Sequence, residues 1–436
     1  MSEWVQSTVG RVTAYQRAGG TPTATTDAFY GNDIPFVTIE DITNGTRFLD
    51  RTLKGLSAAG LTNSAAWLIE EPLVLYSMYA TVGKPIINRI TCATNQAIIA
   101  LKEGPEIDQE FLFYQLLFMR PHVYKYTAQT TQSNLNANSV KRLPIAYPKD
   151  IQIQRRIATI LASIDTAIEK TEALIAKHQQ IKAGLMHDLF TRGVLPNGQL
   201  RPPRREAPEL YQETALGWIP LDWQIVRMHT LAEERKGSTT IGPFGSDLIA
   251  ADYRTDGVPV VFVRDVKESG FQWNSDTYVS EAKAWRLRAH KVSAGEVLAT
   301  KMGLPPCISC VYPEWMPDGV ITADMIRLTP NAKRVHPTWL AAAINHDRVM
   351  RQVAAITAGV TRPKVTLADF RAIRIALPEL TEQLQASSKL SVVEKTITVE
   401  TERTRKLQKQ KLGLMQDLLT GRVPVPAAPE PAEAAA

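Results

Sequence analysis

The feature that most constrains this chain is that it is written twice. Lys182-Ala-Gly-Leu-Met-His-Asp-Leu-Phe-Thr191 returns 229 residues later as Lys411-Leu-Gly-Leu-Met-Gln-Asp-Leu-Leu-Thr420. Ile145-Ala-Tyr-Pro148 returns as Ile375-Ala-Leu-Pro378, and Pro35-Phe-Val-Thr-Ile-Glu-Asp-Ile42 as Pro259-Val-Val-Phe-Val-Arg-Asp-Val266. Asn95–Leu101 pairs more loosely with Thr322–Leu328. A chain of 436 residues that repeats a unit of about half its length folds as similar units with separate cores. The ends of the two copies agree and their middles diverge. Agreement marks a shared structural job; divergence marks what each copy reads on its own account.

Each copy has two parts. The first (1–148, and about 216–378) mixes short β-rich runs with turns: Ile34–Ile39, Leu73–Tyr79, Ala97–Leu101, Val258–Val263 and Met325–Leu328 read as strands. Gly19–Pro22 and Gly242–Gly245 read as loops, and 107–119 and 337–356 carry apolar residues at helical spacing. The second part (149–192, and 379–423) is free of proline up to the repeated Leu-Met-x-Asp-Leu and rich in helix formers. Ile157, Ile160, Leu161, Ile164, Ile168, Ile175 and Leu185 recur three and four apart, as do Leu390, Val393, Ile397, Leu407, Leu414 and Leu418. Two amphipathic helices of about 40 residues, each roughly 60 Å long, are expected. Glu400 and Thr404 interrupt the second stripe. The fold class is therefore α+β: two globular domains (1–148 and 214–378) separated by two long antiparallel coiled-coil helices (149–192 and 379–423), with a pseudo-two-fold internal repeat. Residues 193–213, with Arg201-Pro-Pro-Arg-Arg-Glu206, are expected to form an exposed linker, and the Pro/Ala-rich 424–436 a disordered tail.

Composition narrows the setting. The net charge of +6 suits a polyanionic partner without requiring one. Three cysteines, Cys92, Cys307 and Cys310, form no disulfide framework, and no leader or long apolar run is visible, so a reducing cytoplasmic location and no membrane contact are expected.

Against that frame, Thr214-Ala-Leu-Gly-Trp-Ile-Pro-Leu-Asp-Trp-Gln-Ile-Val226 resembles the opening of a target-recognition domain in specificity subunits of type I restriction–modification systems. Gly242-Pro-Phe-Gly-Ser-Asp-Leu248, followed by Gly257-Val-Pro-Val-Val-Phe-Val-Arg-Asp265, is similar to the next landmark, and Gly19-Gly-Thr-Pro22 with Asp33-Ile-Pro-Phe-Val37 to its alternative version. The helices that begin near Gln154 and Gln383 resemble the spacer regions of that family. The resemblance implies a subunit that reads a split double-stranded DNA site, one domain per half-site. Methyltransferase subunits, two of them, would bind along the helices, and restriction/translocase subunits would join to cut unmodified DNA. S-adenosylmethionine is then expected on the methyltransferase, and ATP and Mg on the restriction subunit, with no cofactor in this chain. Ile164, Ile168, Ile175, Leu185, Val393, Ile397, Leu407 and Leu414 mark the partner-binding helices.

The residue types that read base edges sit in corresponding loops. Lys84 and Arg89 follow a strand, with Lys301 at the matching place; Thr130, Gln132 and Asn134 correspond to Thr361, Arg362 and Lys364; Arg264 and Lys267 follow the repeated Pro259 run. Gln and Asn pair with adenine and Arg with guanine, while Lys and Thr more often hold phosphates. No catalytic or metal-binding residue is expected. The Asn/Asp-Pro-Pro-Tyr/Phe motif of an adenine methyltransferase and the Gly-x-x-x-x-Gly-Lys-Ser/Thr phosphate loop are both missing, and Cys307-x-x-Cys310 lacks a second pair. Two readings compete with the DNA-reading subunit: a fused restriction–methylation enzyme, and a coiled-coil scaffold without DNA specificity.

Overall fold

The computed structural model describes residues 3–127, 134–359 and 362–426. Two compact units emerge: Met1–Glu172 with Glu402–Ala436, and Ala173–Thr401. The first long helix, Ile151–Thr191, and the second, Leu380–Leu418, each contribute one half to each unit.

In the first unit a five-stranded sheet runs in the order Thr13–Ala18, Ile98–Glu103, Val74–Ser77, Pro85–Asn88, Phe48–Leu49. A three-stranded sheet sets Tyr30–Val37 between Lys54–Leu56 and the parallel Ala93–Thr94. All four residues of Val74–Ser77 are buried because both faces are covered. Alternate side chains point to opposite faces. Val74 and Tyr76 join Phe111 and Leu112 of the helix Gln109–Met119, while Leu73 and Leu75 join Ile42 and Ile86.

The second unit repeats this plan. Its central strand Val297–Thr300 sends Val297 and Ala299 toward Trp339 and Leu340, and Leu298 toward Tyr312 and Ile321. It lies between Met325–Leu328 and Ser309–Val311, and Val258–Val261 pairs in parallel with Gly319–Ile321.

Where elements end is decided by side chains that compete for the backbone. The strand at Tyr30–Val37 stops two residues before Ile39, because the Asp41 carboxylate accepts from the Thr38 N–H at 2.8 Å and opens the helix Ile39–Asn44. Asp265 does the same at Phe262, 2.9 Å away, so the second run stops at Val261. The helical stretch 337–356 is two helices, Pro337–Asn345 and Asp347–Ile356, broken at His346, whose ring caps the second.

The long helices pack differently at their two ends. In the first unit Ile153, Ile157, Ala158 and Leu161 share a core with Met415 and Leu418; in the second, Leu189 and Phe190 share one with Ala386 and Leu390. The start of one helix thus meets the end of the other within each unit. Thr404, read as an interruption of the stripe, is itself buried.

The segment after the first helix corrects an expectation. Residues 193–213 are exposed in part, at Arg204–Glu206 among others, but they are pinned at several points. Val194 is buried, Arg201 is 5% exposed, and Tyr211–Thr214 forms a hairpin with Gly217–Pro220. The reason is a buried carboxylate. Glu382 accepts both guanidinium nitrogens of Arg201 (2.5 and 3.0 Å), the Val194 N–H (2.6 Å) and the Trp223 indole N–H (3.1 Å). A bidentate, charge-assisted clamp of this kind holds an Arg- and Pro-rich stretch that composition alone assigns to solvent. At the other end of the chain, Val425 packs on the first unit's core and the Pro426 carbonyl accepts from Arg156; 427–436 lie outside the described residues. Among the described residues no helix is long and apolar enough to cross a membrane.

Candidate nucleic-acid interface

Buried polar contacts, repeated bond for bond, hold the same loops in place in both units. Gln154 and Gln383 are fully buried. Gln154 accepts from the Asp108 N–H and donates to the carbonyls of Glu106 and Pro148, each at 2.9 Å. Gln383 accepts from the His336 N–H and donates to the carbonyls of Arg334 and Pro378, at 2.9, 3.0 and 2.9 Å. Gly19 and Gly242 also correspond: a Cβ on Gly19 would lie 2.0 Å from the Thr94 carbonyl oxygen, and one on Gly242 2.1 Å from that of Thr322. Only glycine lets the two chains approach that closely.

This frame presents a loop after each central strand. The Met78 N–H donates to the Ala97 carbonyl, and the Met78 carbonyl accepts from Leu135; Lys301 makes the same pair with Asp324 and Val365 (2.7–3.0 Å in all). The strand register therefore aligns Met78 with Lys301, and Asn134 with Lys364. The expected match of Lys84 with Lys301 is corrected: the Ser77 N–H donates to the Lys84 carbonyl as Thr300 does to Ile308, so Lys84 sits where the second unit has Ile308.

In the second unit the nominated residues come together. An open cleft of about 820 Å³ is lined by Arg264 and Lys267 and by Gly303–Pro305, Ala323 and Asp324, among others. Arg264 is exposed, stacked 4.3 Å over the Phe262 ring. The Lys301 ammonium lies 4.8 Å over the Phe244 ring. Met302 bridges to Lys364, and the Gly303 N–H donates to the Pro363 carbonyl at 3.2 Å, which brings the exposed Arg362 and Lys364 to the same loop. Thr361 lies outside the described residues. Glu268 and Asp324 also line the wall, so the cleft itself carries two cationic and two anionic side chains, with Lys301, Arg362 and Lys364 added on the adjoining loops.

The first unit assembles less. The Lys84 ammonium is held by the carbonyls of Thr43 (2.9 Å) and Gly45 (2.7 Å), and burial beside Arg120 lowers its pKa. Arg89 stacks 3.4 Å over the Phe48 ring and remains half-exposed. Asn134 is half-buried, and Thr130 and Gln132 lie outside the described residues. On the face that matches the second unit's cleft stand Glu40, where the repeat has Arg264, the exposed Tyr79, and Thr21 hydrogen-bonded to Gln96. Sequence reading passed over these, and over Phe244 and Leu304. The alignment of Pro35–Ile42 with Pro259–Val266 already set Glu40 on Arg264; the rest needed the strand register.

On the long helices, Ile164 and Ile168 are 9% exposed, and Ile175, Leu185, Val393, Ile397, Leu407 and Leu414 are half-buried. The apolar side chains that reach solvent are others: Leu174, Ile181, Leu384, Val392, Val399 and Leu412. Cys92, Cys307 and Cys310 are buried free thiols, each pushed up to about 12 by desolvation, and among the described residues no group of three or more acidic, His or Cys side chains could hold a metal.

Comparison with known proteins bears on this arrangement. The sequence model of the type I restriction modification DNA specificity domain matches residues 1–178 and 315–409. A putative type I restriction enzyme specificity subunit, MjaX, of Methanocaldococcus jannaschii is 23% identical over 73% of this chain and 69% of its own length. The MjaVIII specificity subunit of the same organism is 18% identical over 84% and 82%. Among solved structures, the S subunit of a type I restriction–modification system from M. genitalium shares the fold, with a TM-score of 0.59 at 13% identity and 96% of both chains covered. A chain from a study of type I R-M complex assembly and conformational transition gives 0.55, also at 13% identity, over 96% and 98%.

Proposed function

The chain belongs to the type I restriction–modification DNA specificity family, and from that premise we propose that it reads a bipartite site in double-stranded DNA, one unit per half-site. It is a non-catalytic specificity subunit that works in a complex with methyltransferase and restriction subunits. Two methyltransferase copies fit a chain whose helix-bearing ends are repeated. S-adenosylmethionine then belongs to the methyltransferase, ATP and Mg to the restriction subunit, and the assembly works in the cytoplasm. The exposed apolar residues Ile181, Val392, Val399 and Leu412 supply surface that a protein partner would cover.

One observation carries this reading. The two units share buried hydrogen bonds of the frame and present different side chains at the same places: Arg264, Lys301 and Met302 in one, Glu40, Met78 and Tyr79 in the other. A scaffold needs the frame and gains nothing from the divergence. A reader of two unlike half-sites needs both. Arg264 can donate twice to guanine, and Lys267, Lys301 and Lys364 can hold phosphates and fix the register. A small domain reads few bases, so linking two multiplies specificity.

The test is genome-wide adenine methylation in cells that express the chain with its methyltransferase, against cells lacking only this chain. A split motif that appears only with the chain, and changes in one half when 1–148 is exchanged, is the expected result. Methylation independent of the chain would leave the scaffold reading in its place.

A further inference from the structure

The loop Lys301–Ile308 differs from its counterpart Met78–Lys84 in length and in side chains, and its tip is unlike the rest of it. Its base is anchored. The Lys301 N–H donates to the Asp324 carbonyl, Gly303 to Pro363 and Cys307 to Thr300, and Pro306 and Cys307 are buried. Between these anchors Leu304 is 86% exposed, more than any other large apolar side chain among the described residues. A free leucine on a mobile tail costs little. A single exposed leucine is ordinary on a protein surface; this one is set apart because an anchored loop holds it in the wall of the cleft.

What covers it is indicated by its neighbours. Leu304 lines the same cleft as Arg264 and Lys267, and Lys301 stands on the same loop. With Arg362 and Lys364 beside that loop, five basic side chains stand around the cleft against Glu268 and Asp324, which favours an anionic ligand that offers hydrogen-bond acceptors and an apolar point beside them. The major-groove edge of a T·A pair meets all three demands: phosphates flank it, the thymine O4 and adenine N7 accept, and the thymine C5-methyl is the apolar point. The matching loop of the first unit is anchored by the same two backbone bonds at Met78 but is one residue shorter and exposes Tyr79 instead. The exposed side chains of the two loops thus differ in chemistry between units whose anchors at the loop base are shared.

We propose that Leu304 is a specificity-determining residue that reads a thymine of the second half-site by packing its isobutyl group on the C5-methyl. This rests on the DNA-reading function proposed above. It adds a base, a side chain and a groove.

The experiment uses the full chain co-expressed with its methyltransferase, as wild type, Leu304→Ala and Leu304→Met, with the methylated motif determined for each. The wild-type motif should contain a thymine in the half assigned to residues 214–378. Leu304→Ala should relax that one position, lowering discrimination against other bases about tenfold, while Leu304→Met retains it and the first half stays unchanged. Binding to a synthetic duplex of the wild-type motif with uracil in place of that thymine should weaken about tenfold for wild type and not for Leu304→Ala. A second half-site without thymine overturns the proposal. So does an unchanged motif in Leu304→Ala, a loss spread evenly over all positions, or equal binding to thymine and uracil duplexes. If no motif depends on the chain at all, the DNA-reading function itself falls, a result distinct from all of these.

Discussion

The two units are the same machine below the surface and different ones at it. Gln154 and Gln383 make the same three hydrogen bonds, Asp41 and Asp265 cap the same turn, and Gly19 and Gly242 admit the same close approach. Above that frame little agrees. Charges balance over 1–150, while basic residues outnumber acidic ones over 216–378. The first unit spends Lys84 on two backbone carbonyls; the second leaves Arg264, Lys267 and Lys364 exposed. Burial explains the contrast. A polar group inside has one set of partners and a full desolvation cost if it loses them, so both copies keep it. A loop tip in solvent has no such constraint and is free to take the chemistry of its ligand.

The largest test of the comparison is at its deepest shared point. Gln383→Leu strips an acceptor from the His336 N–H and a donor from the buried Pro378 carbonyl and the part-buried Arg334 carbonyl, at about 1–3 kcal/mol for each group left unsatisfied. Gln154→Leu does the same to Asp108, Glu106 and Pro148. Each variant should lower the stability of its own unit by at least about 3 kcal/mol, seen as lost amide protection in hydrogen exchange. Losses below about 1 kcal/mol in either unit would mean that the network is incidental.

Acid should separate the units next. His346 is 7% exposed, packed 5.2 Å from the Phe190 ring, and its ring nitrogen accepts from the Arg348 N–H. Burial, with the positive charge of Arg348, lowers its pKa from 6.5 to about 4. Counted from the N-caps Asp108 and His336, the same place in the first unit is Phe118, which cannot titrate. As pH falls below 6.5 the unfolded chain takes a proton that the folded one refuses until about 4. The stabilisation is complete above 6.5, shrinks through that window and is gone below about 4. The loss from this group is on the order of 3 kcal/mol. His346→Asn keeps a cap acceptor and should flatten that part of the second unit's pH profile. An unchanged profile would assign the acid sensitivity elsewhere.

How much of this was legible in the residues follows the same line between inside and outside. The repeat, the two long helices and the central strands were readable because apolar periodicity records burial directly, as at Met325–Leu328, where the strand was read with its observed ends. The capping aspartates were visible in the repeated run, yet their effect was missed: a β-rich run does not announce that Asp41 or Asp265 will end it. Arg201 was assigned to solvent because its partner Glu382 is 181 residues away. The reading face was the least legible. Lys84 and Lys301 look equivalent along the chain, and only the strand register shows that Met78 holds the place of Lys301. Leu304 carries no motif; only the fold sets it in the wall of the cleft.

The smallest effect asks whether the two units also share their helix electrostatics. Asp165 and Lys411 meet at 2.5 Å in the first unit, and Glu394 and Lys182 at 2.7 Å in the second. Adding 229 to 165 and 182 gives 394 and 411, so one carboxylate–lysine pair has been written twice with the helices exchanged. The surroundings differ. Asp165 is 13% exposed and also accepts from the Tyr114 hydroxyl at 2.8 Å; Glu394 is 37% exposed. An exposed pair is worth little, because solvent screens it and two long side chains must be ordered. A double-mutant cycle with Asp165→Asn and Lys411→Met should give a coupling of about 1 kcal/mol, falling as salt rises. The cycle with Glu394→Gln and Lys182→Met should give less than about 0.5 kcal/mol. Equal couplings would mean that depth does not matter here. A larger value in the second unit would mean that Tyr114 competes with Lys411 for the Asp165 carboxylate rather than supporting the pair. In either case the exchange of helices leaves a sharper requirement: Asp165→Lys with Lys411→Asp should restore the stability that each single reversal removes, because the frame fixes which half of one helix faces which half of the other.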